Sequence, residues 1–360
     1  MTAENELEHL NIEAFQHDLV DWYQNNQREL PWRKTKNPYY IWVSEIMLQQ
    51  TRVDTVIPYF NYFIEQFPTP EDLALADEEE VLKAWEGLGY YSRVRNLQTA
   101  VKEVVESYGG EVPKDRAEFR ALKGVGPYTS GAVMSIAFDQ PEPAVDGNVM
   151  RVFSRLLHIE DDIMQAKTKT KFEKVIAQVI EGAPPSDFNQ AIMELGALIC
   201  TPKSPGCLLC PVQAYCQARE LGVQEELPVK KKKKEPTRKR IAVLAVQDKE
   251  QRWFVRKRPA SGLLAGLWEF PQVELEREEE ADKALAKMLN DQHAIQAEVE
   301  AYLGEVEHVF SHLIWEMEVY TGRVDEKLSS TEMGKWVTDQ EAKELAYPVS
   351  HQKILKRLEE

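Results

Sequence analysis

Cysteine is scarce in this chain: four residues in 360, all between positions 200 and 216. That pattern argues against a secreted scaffold stapled by disulfides, whose cysteines are dense and dispersed. No run of eighteen apolar residues occurs, so no segment has the composition of a membrane-crossing helix. Net positive charge is missing as well. Forty-four Lys and Arg against sixty Asp and Glu leave −16 at pH 7, a global field that repels polyanions. The first ten residues are acidic and lack the apolar core of a secretory signal. A reducing, intracellular setting is expected.

What remains is ordinary globular composition, 43% hydrophobic and 29% charged. The length exceeds one ordinary core, so two domains are expected. Composition shifts at Leu227-Pro228. From Lys230 to Arg240 there are eight basic residues and one acid, so any nucleic-acid contact must come from local basic surface. Residues 227–240 read as a solvated basic linker.

Residues 1–226 read as helical. Asn37-Pro38 opens a segment with Ile46, Val53, Ile57, Phe60 and Ile64 at helical spacing, and Pro58 is expected to bend or end it. Asp77 with Glu80 three residues later resembles a capping box. Gly87 and Gly89 break the pattern, and Val94, Leu97, Val101 and Val104 restart it. Residues 241–360 change texture to α+β. Strands are expected at 241–246 and 253–256, and a hairpin at 306–320 turning on Ser311-His312. Helices are expected at 282–289 and 349–358.

Four stretches carry chemistry. Cys200, Cys207, Cys210 and Cys216 are spaced C-x6-C-x2-C-x5-C; such thiolates suit an iron–sulfur cluster or zinc, and spacing leaves disulfides open. In Leu122-Lys123-Gly124-Val125-Gly126-Pro127, two glycines permit a tight positive-φ turn, and Pro127 suits a first helical turn. Bare N–H groups at such a helix start bind anions. Asp146, in Val145-Asp146-Gly147-Asn148-Val149, is placed to cap the following helix. Glu45 lies among Val43, Ile46 and Met47, where an apolar setting would raise its pKa.

Together these motifs resemble the adenine DNA glycosylase (MutY) family of the endonuclease III superfamily. Leu30-Pro31-Trp32-Arg33, Glu45-Ile-Met-Leu-Gln-Gln-Thr51, Gly87-Leu-Gly-Tyr90-Tyr91-Ser-Arg, the Gly124–Thr129 turn, Val145–Val149 and the cysteine loop occur in that family's order. The resemblance implies an all-α helix–hairpin–helix catalytic domain whose cysteines hold a [4Fe–4S] cluster. It implies a monofunctional enzyme that hydrolyses the bond between sugar and adenine opposite 8-oxoguanine or guanine in duplex DNA. Glycosidic cleavage through an oxocarbenium-like state needs an acid for the leaving group and a carboxylate for the sugar. By resemblance Glu45 protonates adenine at N7, Asp146 stabilises the sugar cation, and Asn148 orients the water or the aspartate. Tyr128 stands where endonuclease III-like lyases carry a lysine, and no Schiff base can form there. Leu30, Trp32, Arg33 and Val53 are implied to form the adenine pocket, with Gln190 where some relatives place glutamate. Gln50 and Tyr90 would wedge into the vacated stack, with Leu48 and Thr51 beside the opposite base. Gly124 and Gly126 would grip a phosphate.

Gly262–Pro271 resembles the opening of a Nudix fold. The helix that follows lacks the magnesium-binding carboxylate cluster, so no pyrophosphohydrolase is expected. Phe310-Ser311-His312 matches the hairpin with which the MutY family inspects the damaged guanine. The expected protein is a monomer in the cytoplasm, at the nucleoid.

Overall fold

A computed structural model describes residues 6–231, 235–330 and 334–359. Lys232–Lys234, the heart of the expected linker, lie outside the described residues. In chain order the helices are α1 (Ile12–Asn26), α2 (Pro38–Leu48), α3 (Val53–Gln66), α4 (Pro70–Leu75), α5 (Glu78–Ala84), α6 (Ser92–Tyr108), α7 (Arg116–Ala121) and α8 (Pro127–Phe138). They continue with α9 (Gly147–Leu156), α10 (Ala166–Ile180), α11 (Pro185–Leu198) and α12 (Gln217–Leu221). A 3-10 turn, Pro31–Lys34, precedes α2.

The chain divides into two compact units, 1–75 with 96–232 and 76–95 with 233–360. The expected boundary therefore moves in two respects. Residues 76–95 cluster with the C-terminal part, and β1 starts at Thr237, inside the stretch expected to be linker.

In the first unit, α1, α9, α10 and α11 meet around Phe15, Phe153, Phe172 and Phe188, all fully buried. Elsewhere in the unit the fully buried Trp42 meets the Phe119 ring edge-on at 5.0 Å between centroids. Helix α2 is buried almost all round, from Ile41 to Met47. A helix without a solvated face is a central one. The segment that Asn37-Pro38 opens is two helices, and its break falls at Gln49–Arg52, where Gln50 takes φ 62°, and not at Pro58. Pro58 does not end a helix; it lies inside α3. Its missing N–H removes only the bond to the Asp54 carbonyl, one turn from the helix start. Asp77 does stand at the N-cap of α5, yet its side chain makes no capping hydrogen bond.

The second unit is built on a mixed sheet of β1 (Thr237–Gln247), β2 (Trp253–Lys257), β3 (Trp268–Glu269), β4 (Gln272–Glu274), β5 (Glu298–Val309), β6 (Leu313–Arg323) and β7 (Gly334–Val337). The order is β3-β2-β1-β6-β5, with β4 paired to β1 and β7 to β2. Among the described residues only β1 and β6 run parallel, in the register Ile241↔Met317. Helices α13 (Ala281–His293), α14 (Asp339–Glu344) and α15 (Val349–Glu359) complete the unit. Ile241 to Val246 are six consecutive buried residues, as expected for a strand covered on both faces. Ile241, Val243 and Ala245 pack with Ile354 of α15, and Ala242, Leu244 and Val246 with Leu285 and Leu289 of α13. The two-residue period of the strand thus feeds two cores.

Candidate active site

Leu30, Trp32, Arg33, Glu45, Leu48, Thr51, Val53, Tyr128, Asp146, Asn148 and Gln190 converge on one cavity of about 150 Å³ in the first unit. Each arrives for a local reason. Glu45 projects from the buried helix α2 and is only 4% exposed. Tyr128 occupies the first turn of α8, which Pro127 opens at N1. Asp146 is the N-cap of α9, its Oδ1 accepting the Val149 N–H at 2.7 Å. Its Oδ2 accepts the Asn148 Nδ2–H at 3.0 Å.

Burial pushes the Glu45 carboxyl up to about 7; Asp146 adds to the rise, while the Tyr128 hydrogen bond and Arg33 oppose it. That hydrogen bond, from the Tyr128 hydroxyl to Glu45 Oε2, is 2.5 Å long. Burial, followed by the charges of Glu45 and Asp146, holds the Tyr128 phenol well above its usual range. It therefore remains a donor. Burial raises Asp146 as well, but the Val149 and Asn148 donors and Arg151 favour its ionised form.

Three further residues of the wall are not prominent in the sequence: Arg28, Glu194 and Met193. Glu194 is 1% exposed and takes a bidentate Arg28 guanidinium, Nε at 2.8 Å and Nη2 at 2.8 Å. Arg33 Nη2 reaches the same carboxylate at 2.9 Å, while Arg33 Nε donates to Gln190 Oε1 at 3.1 Å. Glu194 was findable in principle, because it follows Gln190 by four residues and shares its helix face.

The aspartate is tied to the cysteine loop through α9. Arg151 Nη2 donates to Asn148 Oδ1 at 2.9 Å and Arg151 Nε to the Cys200 carbonyl at 2.8 Å. One turn on, the buried Arg155 donates from Nη1 to Cys200 Sγ at 3.2 Å. Cys200, Cys207, Cys210 and Cys216 line one small cavity. Burial, with the neighbouring sulfurs adding to it, pushes Cys210 up to about 12 and raises Cys216. Thiolates gathered in one cavity call for a strongly positive centre among them. An all-sulfur donor set of this kind fits iron and sulfide or zinc.

The hairpin before α8 differs in detail from expectation. Gly124 takes φ +77°, and a Cβ there would lie 2.7 Å from Asn96 Cβ, so only glycine fits. Gly126, the N-cap of α8, has φ −91° and needs no such freedom. Gln50 is exposed at the tip between α2 and α3 and does not line the cavity.

In the second unit, Tyr90, Phe310, Ser311 and His312 line a separate pocket of about 570 Å³. The hydroxyls of Tyr90 and Ser311 are 2.8 Å apart. Arg93 lies over the Tyr90 ring, 5.4 Å from its centroid.

The family model described as HhH-GPD superfamily base excision DNA repair protein matches residues 43–178, and a NUDIX domain model matches 242–357. Adenine DNA glycosylase of Rattus norvegicus is 37% identical, over 97% of this chain and 79% of its own. The Homo sapiens counterpart is 36% identical over 96% and 74%. A solved non-covalent endonuclease III–DNA complex matches with a TM-score of 0.52 at 27% identity, covering 61% of this chain and 99% of that one. With a helix–hairpin–helix unit, a Nudix-like unit and relatives of this identity over nearly its whole length, the chain belongs to the adenine DNA glycosylases, base-excision repair hydrolases of N-glycosyl bonds.

Proposed function

We propose that Glu45 and Asp146 are the acid and the cation-stabilising carboxylate of this glycosylase, acting on adenine opposite 8-oxoguanine or guanine in duplex DNA. The observation that carries the reading is their presence in one cavity, with Tyr128 in its wall and hydrogen-bonded to Glu45. A carboxyl with a pKa of about 7 still holds a proton near neutrality and can pass it to a departing base. Adenine accepts it at N7, which makes the purine a neutral leaving group. Asp146, solvated by the Val149 and Asn148 donors, supplies negative charge as the sugar becomes positive. Asn148 holds Asp146 in place. Tyr128 keeps the Glu45 proton oriented and offers no amine, so the product is an abasic site with the strand intact.

Leu30, Trp32, Arg33, Val53 and Gln190 form the walls for the flipped purine. The exposed Gln50, and Tyr90 in the second unit, fill space left by the extruded base, with Leu48 and Thr51 near its former partner. Extrusion costs a few kcal/mol, which such fillers offset. Gly124 and Gly126 expose backbone N–H groups to a phosphate at the start of α8.

Cys200, Cys207, Cys210 and Cys216 would hold a [4Fe–4S] cluster. The cluster would supply structural order to the loop. In the second unit Ser311 hydrogen-bonds the oxidised guanine and His312 the adjacent backbone. Helix α13 carries only Asp282 and Asp291 as acids, and we assign it no hydrolase chemistry. The enzyme would act as a monomer in the cytoplasm, on the nucleoid; among the described residues no helix is long and apolar enough to cross a membrane.

The test is single-turnover excision from duplexes bearing adenine opposite 8-oxoguanine, developed with and without alkali. Breaks only after alkali are expected. Breaks before alkali would replace this reading with a lyase, and intact DNA in both would remove it.

A further inference from the structure

The pair of arginines in the pocket wall poses an electrostatic problem for an acid catalyst. Arg33 is 12% exposed and Arg28 33% at the side chain, and both line the cavity that contains Glu45. Positive charge in such a low-dielectric wall favours loss of the Glu45 proton. An acid that has lost its proton cannot protonate a leaving group.

Resting on the reading of Glu45 as the acid, we infer that Glu194 is a positioning residue for excision: its buried carboxylate takes up the charge of Arg28 and Arg33 and so keeps Glu45 protonated. The geometry is built for this. Arg28 is bound fork to fork, and its own backbone N–H reaches Glu194 Oε1 at 3.0 Å as well. Arg33 is spent in three directions: on Glu194 Oε2, on Gln190 Oε1 and on the Arg28 carbonyl at 3.1 Å. No other carboxylate pairs with either guanidinium among the described ion pairs. Burial opposes the charge on Glu194, yet Arg28 and then Arg33 hold its pKa down to about 2, so it is ionised throughout the working range.

The groups facing Glu45 from other elements are Tyr128 on α8, Asp146 at the start of α9 and Arg33 in the 3-10 turn. Asp146 raises the Glu45 pKa; Tyr128 and Arg33 lower it. Removing the charge at position 194 leaves Arg28 and Arg33 unbalanced, which strengthens the lowering side. The same imbalance favours ionised Asp146, so both limbs of the pH–rate profile should move down. The alkaline limb reads Glu45.

The experiment is the pH profile of single-turnover adenine excision for Glu194→Gln, with thermal melting to verify folding. The expected result is an alkaline limb displaced downward by about one pH unit, hence a rate about tenfold below wild type at pH 8 beyond any loss at pH 5.5. Glu194→Asp, which keeps the charge, should restore the wild-type midpoint. The double variant Glu194→Gln/Arg33→Gln, with the net charge of the wall returned, should return the midpoint whatever its absolute rate. If Glu194→Gln does not fold, Arg33→Gln alone should move the limb upward. An unshifted limb in the folded variants, with Glu45→Gln inactive, overturns the role of Glu194 alone. Excision by Glu45→Gln at wild-type rate overturns the parent reading instead.

Discussion

The Tyr128 hydroxyl donates to Glu45 Oε2 across 2.5 Å, joining the first turn of α8 to the middle of the buried helix α2. A donor favours the ionised carboxylate, so this bond restrains a pKa that burial drives upward. Tyr128→Phe should therefore move the alkaline limb of excision to higher pH, opposite in sign to the Glu194 change. It should also lower the maximal rate, because the proton of Glu45 is no longer oriented. Rate–pH profiles from pH 5 to 9 check both.

Glu45 should also make the fold less stable above neutrality. Its folded-state pKa of about 7 lies above the 4.5 of an unperturbed glutamate, so the folded chain binds the proton more tightly than the unfolded chain. Stability is then lost as pH rises from about 4.5 to about 7, and the cost levels off at roughly 3 kcal/mol. Glu45→Gln removes that cost. The variant should melt several degrees higher than wild type at pH 8 and at about the same temperature at pH 4, while losing excision by about a thousandfold. Equal melting temperatures at pH 8 would count against the buried acid.

Gly196 is the close-approach point behind the aspartate. A Cβ there would sit 2.8 Å from Asn148 Cβ and 3.4 Å from Arg151 Nη2. Gly196→Ala should displace Asn148, loosen its hold on Asp146 and slow excision about tenfold or more. Duplex affinity should change little. Parallel binding and single-turnover measurements separate the two effects.

Removing a thiol from the cysteine loop should be felt at the same aspartate, since Arg151 joins the Cys200 carbonyl to Asn148. Cys200→Ser is expected to lower iron content and visible absorbance and to reduce excision further than Cys207→Ser, whose residue has no such link to α9. Metal analysis beside excision rates provides the check; zinc in place of iron would correct the assignment.

Ser311→Ala breaks the 2.8 Å contact with Tyr90. It should reduce the preference for adenine opposite 8-oxoguanine over adenine opposite guanine, at the scale of one hydrogen bond, about 1 kcal/mol or fivefold. Equal losses on both duplexes would place the effect elsewhere.

The sequence was most legible where a feature is local. Asp146 as a cap, Pro127 at the start of α8 and the apolar run of β1 from Ile241 to Val246 each depend on neighbours a few positions away. The pocket residues given by motif also meet in space. Less legible were features decided by distant packing. Nothing near Gln50 announces the break between α2 and α3, because the apolar spacing continues through it. Glu194 resembles an ordinary helix glutamate until Arg28, 166 residues earlier, folds against it. The strands β3, β4 and β7 are too short to carry a period and exist through their partners. Of the two glycines in the turn, Gly124 alone takes the left-handed conformation, a distinction that the G-x-G pattern does not carry.

The allegiance of residues 76–95 to the C-terminal unit has a practical corollary. Lys83 Nζ donates to the Leu345 carbonyl at 3.0 Å, the Tyr347 N–H to Glu86 at 2.8 Å, and the Tyr91 hydroxyl to the Tyr347 carbonyl at 3.2 Å. Cutting the chain after the helical half would strand this twenty-residue insert without its hosts, exposing Trp85 and Tyr91 to solvent. A truncated enzyme would then report on a damaged helical fragment as much as on the loss of the second unit, and point substitutions at the hairpin are the cleaner dissection.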